Sequence, residues 1–314
     1  MNPTANALPA AAERTNLLAK VGPMSKLKIF VELTKPRIVM LELVAVLITL
    51  HIATGYGAPG SRWSASLLLA VSVGTGLVAG SANALNQWIE RERDARMPRT
   101  KGRPLPSGRL SPDEALWFGA FSLAFGASLL MFFAGTTAAM VAVATWVVYV
   151  ALYTPLKTKT WLNTAVGAVS GAMPLWIGWA AGGGDLLDPL ALSIVATMFV
   201  WQFPHFMAIA WLCRDDYTIA GYQMSTKLDP SGRWAGLQAV IGSAVLLPVS
   251  LAPMVFGAAS PVAYAVVVGL AGLVMLATSA AFLAERTNPI ARRLMRASLL
   301  YVPVWLAALW FCVG

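Results

Sequence analysis

The sequence predicts an all-α, polytopic membrane protein that crosses the bilayer nine times, with its N-terminus on the cytoplasmic side. Three observations carry this prediction. Of 314 residues, 58% are hydrophobic and only 12% are charged, about half the charged share of an ordinary soluble domain. Nine stretches reach the roughly 17 to 25 apolar residues that span a hydrocarbon core. Placing the N-terminus inside puts 22 of the 23 Lys and Arg residues on the inner face and leaves Arg62 alone outside. That is the asymmetry the positive-inside rule describes.

Taken in chain order, residues 1–30 are expected to be a disordered basic cytoplasmic tail, followed by one intramembrane domain over residues 31–314. The tail has no apolar core of the kind a cleaved secretory signal needs, and Glu13 with few serines argues against a mitochondrial presequence. The expected location is the bacterial cytoplasmic (inner) membrane, with the mitochondrial inner membrane as the alternative. The predicted spans cover 38–54, 64–89, 113–133, 137–154, 161–181, 189–213, 234–256, 262–284 and 296–313. "GTT", "GGGDLLD" and "GAASP" are short outer turns. Two inner loops, 90–112 and 214–232, are longer and hold six of the thirteen acidic side chains outside the tail. They follow the second and sixth spans, so four crossings separate them and both emerge on one face. The spacing suggests two four-helix halves and a ninth helix. Cys213 and Cys312 fall near opposite faces, which argues against a disulfide. The net charge of +9 follows from the topology and suits anionic headgroups or phosphates; it does not indicate nucleic acid.

The charge density is greatest in "NQWIERERDARMPRTKGRPLPSG", where the second span runs on into its loop. Asn86, Glu90 and Asp94 recur every four residues, which keeps them within about 80° of one another on a helix. Such a ladder of oxygen ligands suits Mg²⁺, a hard cation that is usually completed by water and substrate phosphate oxygens. Arg91, Arg93, Arg96, Arg99, Lys101 and Arg103 surround the ladder. Without an anionic substrate they would compete with the metal; with a diphosphate present they balance its charge. The plainer reading is a solvated basic loop whose acids form surface ion pairs. The second loop begins "CRDDYTIAGYQM" and supplies Asp215 and Asp216, flanked by Arg214 and Tyr217. Two acidic clusters on one membrane face favour the Mg-diphosphate reading. Lys157 in "YTPLKTKT" lies on the same side and is within plausible reach of a phosphate.

These motifs resemble the UbiA-type intramembrane prenyltransferases. Asn-x3-acid-x3-Asp is followed by Met-x-Arg-Thr-x-x-Arg-Pro-Leu, and "YTPLKTKTWLNTAVGAVSGAMPLWIGWAA" and "WQFPHFMAIAWLCRDDYTIAGYQM" look like the branch that farnesylates protohaem IX. The similarity extends from "LTKPRIVMLELV" through the sixth span and more loosely to the C-terminus. The resemblance implies a helical bundle around a central cavity that is open to the membrane for a prenyl chain. It implies transfer of the farnesyl group of farnesyl diphosphate to a vinyl group of haem B with addition of water, giving haem O for a terminal oxidase or a haem A synthase. Carried over by motif position, Asn86, Glu90 and Asp94 would be the first metal and diphosphate cluster, and Asp216, helped by Asp215, the second. Arg99, Lys101, Arg103, Lys157, Arg214 and Tyr217 become candidates for substrate contacts. Two departures stand out. The middle acid of the first motif is Glu90 where Asp is usual, and Leu212 and Ala220 occupy the positions four residues either side of Asp216, so the second motif lacks its usual partner acid.

His205, in "WQFPHF", has two readings: a contact to haem, or a helix-packing histidine beside Pro204. Glu42 is read as a buried, neutral packing residue. Two rival functions remain at this stage. One is a related enzyme that prenylates an aromatic acceptor such as 4-hydroxybenzoate. The other is a secondary transporter, which would place its polar residues near the bilayer midplane and not at one face.

Overall fold

The computed structural model describes residues 23–55 and 62–313, and all regular structure among them is helical. Thirteen helices serve to describe it. They are α1 (Pro23–Leu33), α2 (Pro36–Thr54), α3 (Ala65–Asp94), α4 (Pro112–Phe133), α5 (Thr136–Leu156), α6 (Asn163–Ala172), α7 (Pro174–Ala181), α8 (Pro189–Leu212), α9 (Arg214–Ala220), α10 (Ser225–Leu228), α11 (Arg233–Phe256), α12 (Pro261–Ala284) and α13 (Asn288–Cys312).

Among the described residues, eight of these helices are long and apolar enough to cross a membrane. The stretch predicted as a fifth span is a pair of helices, α6 and α7, meeting at Met173. Pro174 explains the break, because it has no N–H to continue the ladder and its ring crowds the preceding turn. The pair is nevertheless well packed: Leu175, Ile177 and Ala181 are buried, and Thr49 of α2 donates to the Leu175 carbonyl at 2.8 Å. A Cβ on Gly178 would collide with the Val46 carbonyl, so α2 and α7 approach backbone to backbone.

The other boundaries follow local chemistry. Proline opens α2, α4, α8 and α12 at a position whose N–H has no partner in any helix. Ser64 caps α3 by accepting from Leu67 N. Ser111 and Glu114 form a reciprocal capping box on α4. α3 and α4 also pack closely, since Gly74 and Gly126 face each other and Ser81 donates to the Gly119 carbonyl at 2.7 Å. Side chains such as Phe121, Phe132 and Phe311 point outward with most of their surface uncovered, as lipid-facing residues should.

One expectation about the N-terminal segment needs adjusting. Residues 1–22 lie outside the described residues, but 23–30, expected to be part of a disordered tail, belong to α1. Tertiary contacts hold this helix: Ile29 and Leu33 are buried, Phe30 packs on Phe118 at 5.0 Å, and Lys26 pairs with Glu114 at 3.1 Å. Glu32 also takes a two-pronged pair from Arg109 at 2.7 and 2.8 Å, and Arg109 donates to the Gly102 carbonyl. Through Arg109, α1 ties down the loop after α3. Both cysteines are free.

Candidate active site

The two loops expected to share a face do converge. At the end of the bundle where α3 finishes they enclose a cavity of about 110 Å³. Its acidic wall is the last two turns of α3. Asn86, Glu90 and Asp94 are only 2, 4 and 1% exposed, so their four-residue spacing aims three oxygen-bearing side chains into one protein interior.

Each of the three is held by a partner from elsewhere. Asn86 accepts from Lys35 Nζ at 3.4 Å and donates to Thr154 Oγ1 at 3.1 Å. Lys157 Nζ lies 2.9 Å from Glu90 Oε1 as an ion pair and donates to Oε2 at 3.2 Å. Burial alone would lower the Lys157 ammonium, but the Glu90 charge outweighs it and holds the pKa above the usual lysine value. Arg103 grips Asp94 Oδ2 at 2.6 Å, while Thr100 donates to the Asp94 carbonyl and fixes the turn between them. Asp94 Oδ1 is buried with no hydrogen-bond partner. A buried carboxylate oxygen left with a free lone pair is costly in a resting protein, and it is the donor a hard cation requires. Asn86, Glu90 and Asp94 therefore fit Mg²⁺, with the remaining positions left to water and phosphate oxygens.

Opposite the acids stand a basic corner and an aromatic wall. Lys35, Arg99, Arg103 and Lys157 bring four cationic heads to the cavity lining. Lys35 was not among the expected site residues. It sits between α1 and α2 as the only non-glycine with positive φ (55°) among the described residues, a conformation that lysine adopts at a cost. Burial, then the neighbouring Arg103 and Lys157 charges, push its pKa down to about 7. The signal for it was a lysine directly before the proline that opens a helix.

Tyr149, Tyr153, Tyr217 and Tyr222 form the wall, and only Tyr217 was anticipated. Tyr149 and Tyr153 both reach the cavity from Val148–Tyr153, a π-helical stretch within α5. Pro155 contributes no N–H there, and Thr154 instead donates its hydroxyl back to the Tyr149 carbonyl. A wide turn of this kind is common at functional sites. The Tyr153 and Tyr222 rings lie 4.6 and 5.8 Å from the Lys157 ammonium, and Tyr217 meets Tyr222 edge to face. Burial raises the phenols of Tyr217 and Tyr222 above the usual tyrosine value, so both stay neutral hydrogen-bond donors. The loop that carries Tyr222 is pinned by Gln223 N donating to the Lys157 carbonyl at 2.7 Å and by Asn163 donating to the Gln223 carbonyl at 2.9 Å.

Several expected site residues lie outside this lining. Asp216 stands at the rim, 3.7 Å from Arg99 Nε, because the chain breaks at Cys213 (φ −109°, ψ 16°) and α9 sets off in a new direction. Asp215 points to solvent, its side chain 89% exposed. Arg214 folds back over the Trp211 ring at 4.5 Å and donates to the Trp211 carbonyl and to Asn288. Lys101 is exposed. His205 lies in the seam between α8 and α13, stacked on Trp201 at 4.8 Å with Nδ1 2.8 Å from Ser298 Oγ. Among the described residues no three His, Cys, Asp or Glu side chains converge on a point. The ladder explains this, since each step of four residues climbs about 6 Å, and Arg103 and Lys157 draw the two carboxylates towards different cations.

The sequence profile of the UbiA prenyltransferase family matches residues 44–300. The chain belongs to that family. Among its relatives in the family are a protoheme IX farnesyltransferase of Solibacter usitatus (strain Ellin6076) and a mitochondrial one of Arabidopsis thaliana. The first is 42% identical over 283 residues, covering 88% of this chain and 95% of the relative. The second is 38% identical over 268 residues, covering 85% and 62%. The fold is shared with solved structures. A digeranylgeranylglyceryl phosphate synthase superposes with a TM-score of 0.71 at 18% identity, over 90% of this chain and 97% of the other. A UbiA homologue of Archaeoglobus fulgidus bound to GPP and Mg²⁺ superposes with a TM-score of 0.61 at 13% identity, over 90% and 99%.

Proposed function

We infer that this protein is a membrane-embedded prenyltransferase that moves the farnesyl group of farnesyl diphosphate onto a vinyl group of haem B, with addition of water, giving haem O and diphosphate. Mg²⁺ is its cofactor; the A. fulgidus family member was solved with this ion and a prenyl diphosphate, and the oxygen donors of α3 suit it. The observation that carries the assignment of the site is that Lys157 and Arg103 neutralise Glu90 and Asp94 inside one buried cavity. Such pairs are positioned to exchange partners, the cations turning to an incoming diphosphate and the carboxylates to the metal that accompanies it.

The roles follow from charge and position. Lys35, Arg103 and Lys157 orient the diphosphate, and Arg99 at the mouth reaches it while keeping Asp216 close. Asn86, Glu90 and Asp94 would hold Mg²⁺. When bound, the metal supplies a positive charge that stabilises the leaving group. The bond from the first farnesyl carbon to oxygen breaks with its electron pair leaving on diphosphate, and fixed cations favour that build-up of charge. The vinyl double bond supplies two electrons to the allylic carbon, water adds to the cation this leaves beside the porphyrin, and one proton is released. Tyr149 and Tyr153 present neutral ring faces that shield and stabilise an allylic cation. A protein interior recessed in the bilayer keeps bulk water from intercepting it.

The chain is placed in the bacterial cytoplasmic membrane with the N-terminus inside. The α6–α7 pair crosses as one broken span, restoring a count of nine, and a haem A synthase or terminal oxidase takes the product. The deciding experiment incubates purified protein with haem B, farnesyl diphosphate and Mg²⁺, with and without excess EDTA, and detects haem O by mass spectrometry. A Mg-dependent product is expected. Prenylation of 4-hydroxybenzoate in place of haem would keep the metal site and overturn the acceptor.

A further inference from the structure

A second cavity, of about 470 Å³, opens between α11 and α12 away from the catalytic residues, lined by Arg233, Leu237, Leu283, Ala284 and Arg286. It lies where α11 starts and α12 ends, on the membrane face that also carries the catalytic cavity. We propose that it is a binding site for an anionic phospholipid, with the phosphodiester on Arg233 and Arg286 and one acyl chain running along α11.

The arginines argue for an anion. Both face one cavity, and neither belongs to an ion pair among the described residues. Two guanidinium groups lining one cavity, neither taken up by an ion pair, offer charge-assisted donors to an anion that enters it. Arg286 is also held in place, donating from Nε to the Ser231 carbonyl at 3.0 Å and from a terminal nitrogen to the Leu283 carbonyl. That fixes the orientation of its fork, whereas an ordinary surface arginine is free to move.

The apolar surface argues that the anion belongs to a lipid. Leu237, Ile241 and Val245 are 40, 53 and 43% exposed. Their four-residue spacing lines them up on one side of α11 over about 12 Å, leading from the arginines towards the hydrocarbon core. The floor of the groove is closed, because a Cβ on Gly236 would meet Leu283 Cα at 2.8 Å, so the two helices touch there. A positive pocket at headgroup depth, continued by an apolar track, matches a phospholipid with a negative headgroup better than a zwitterionic one.

The test reconstitutes the full chain in nanodiscs holding equal amounts of phosphatidylglycerol and phosphatidylcholine, releases it into detergent, and counts retained lipids by native mass spectrometry. The wild type should keep phosphatidylglycerol over phosphatidylcholine by about fivefold or more. The Arg233→Gln/Arg286→Gln variant should lose that preference. Leu237→Trp, which fills the track and leaves every charge in place, should lose the retained lipid. Arg292→Gln/Arg293→Gln, on the same face but outside the cavity, should retain it. Haem O formation checks that each variant is folded. Equal loss in the Arg292/Arg293 control would reduce the effect to general surface charge and overturn the site. So would full retention in Leu237→Trp, or displacement of the lipid by millimolar inorganic phosphate.

Discussion

The two acidic motifs, already unlike in their spacing, diverge further in the folded protein. The first sits on a helix that continues without interruption from the membrane into the loop, so Asn86, Glu90 and Asp94 stay buried and in register with one another. The second follows a helix that stops at Leu212, and its acids ride on the separate seven-residue α9. One of these reaches the rim and the other reaches water. An acidic residue contributes to such a site in proportion to how firmly its backbone is carried into the low-dielectric interior, where electrostatic interactions are strongest.

That contrast can be broken by mutation. The largest losses are expected from Asp94→Asn and Glu90→Gln, each reducing haem O formation by about a thousandfold through loss of metal and leaving-group stabilisation. A loss below about tenfold in a folded protein, measured by product mass spectrometry, would remove that residue from the metal site. Next come Lys157→Met and Lys35→Met, at roughly a hundredfold each. Lys157→Met should also lower thermal stability, because it strands Glu90 as a buried, unpaired charge, a loss of about 3 to 5 kcal/mol; a variant that melts like the wild type would show the pair to be more solvated than its geometry implies. Asp216→Asn is expected to cost about tenfold, by loosening Arg99 at the mouth. If it equals Asp94→Asn, the two motifs are equivalent and α9 closes inward when substrate binds. Asp215→Asn and Lys101→Ala should change turnover by less than about twofold, as exposed charges do. His205→Ala belongs with this last group, with haem affinity unchanged; a clear loss of affinity would restore its contact with haem.

What could be read from the sequence divides along the same line. The apolar runs, the charge asymmetry and the Asn86–Glu90–Asp94 ladder are periodic or compositional, and periodicity survives folding when the helix is unbroken. The bend at Cys213 is a matter of backbone angles, which neither spacing nor motif position reports, so the rim position of Asp216 could not be read from the sequence. Lys35 and Tyr222 reach the cavity only through tertiary placement, and His205 finds its partner, Ser298, ninety-three positions along the chain. Pro174 was visible as a residue, but its breaking of the predicted fifth span into α6 and α7 was masked by the unbroken hydropathy around it.

The π-helical stretch at the end of α5 makes the site sensitive to length as well as to composition. A wide turn is equivalent to one residue inserted into a plain helix. Deleting one residue between Tyr149 and Tyr153 would remove that insertion and let the helix close regularly, so Thr154 and Lys157 beyond it would keep their direction while the spacing of the two tyrosines changed. The wide turn thus sets how Tyr149 and Tyr153 share the cavity wall, and not where Lys157 stands.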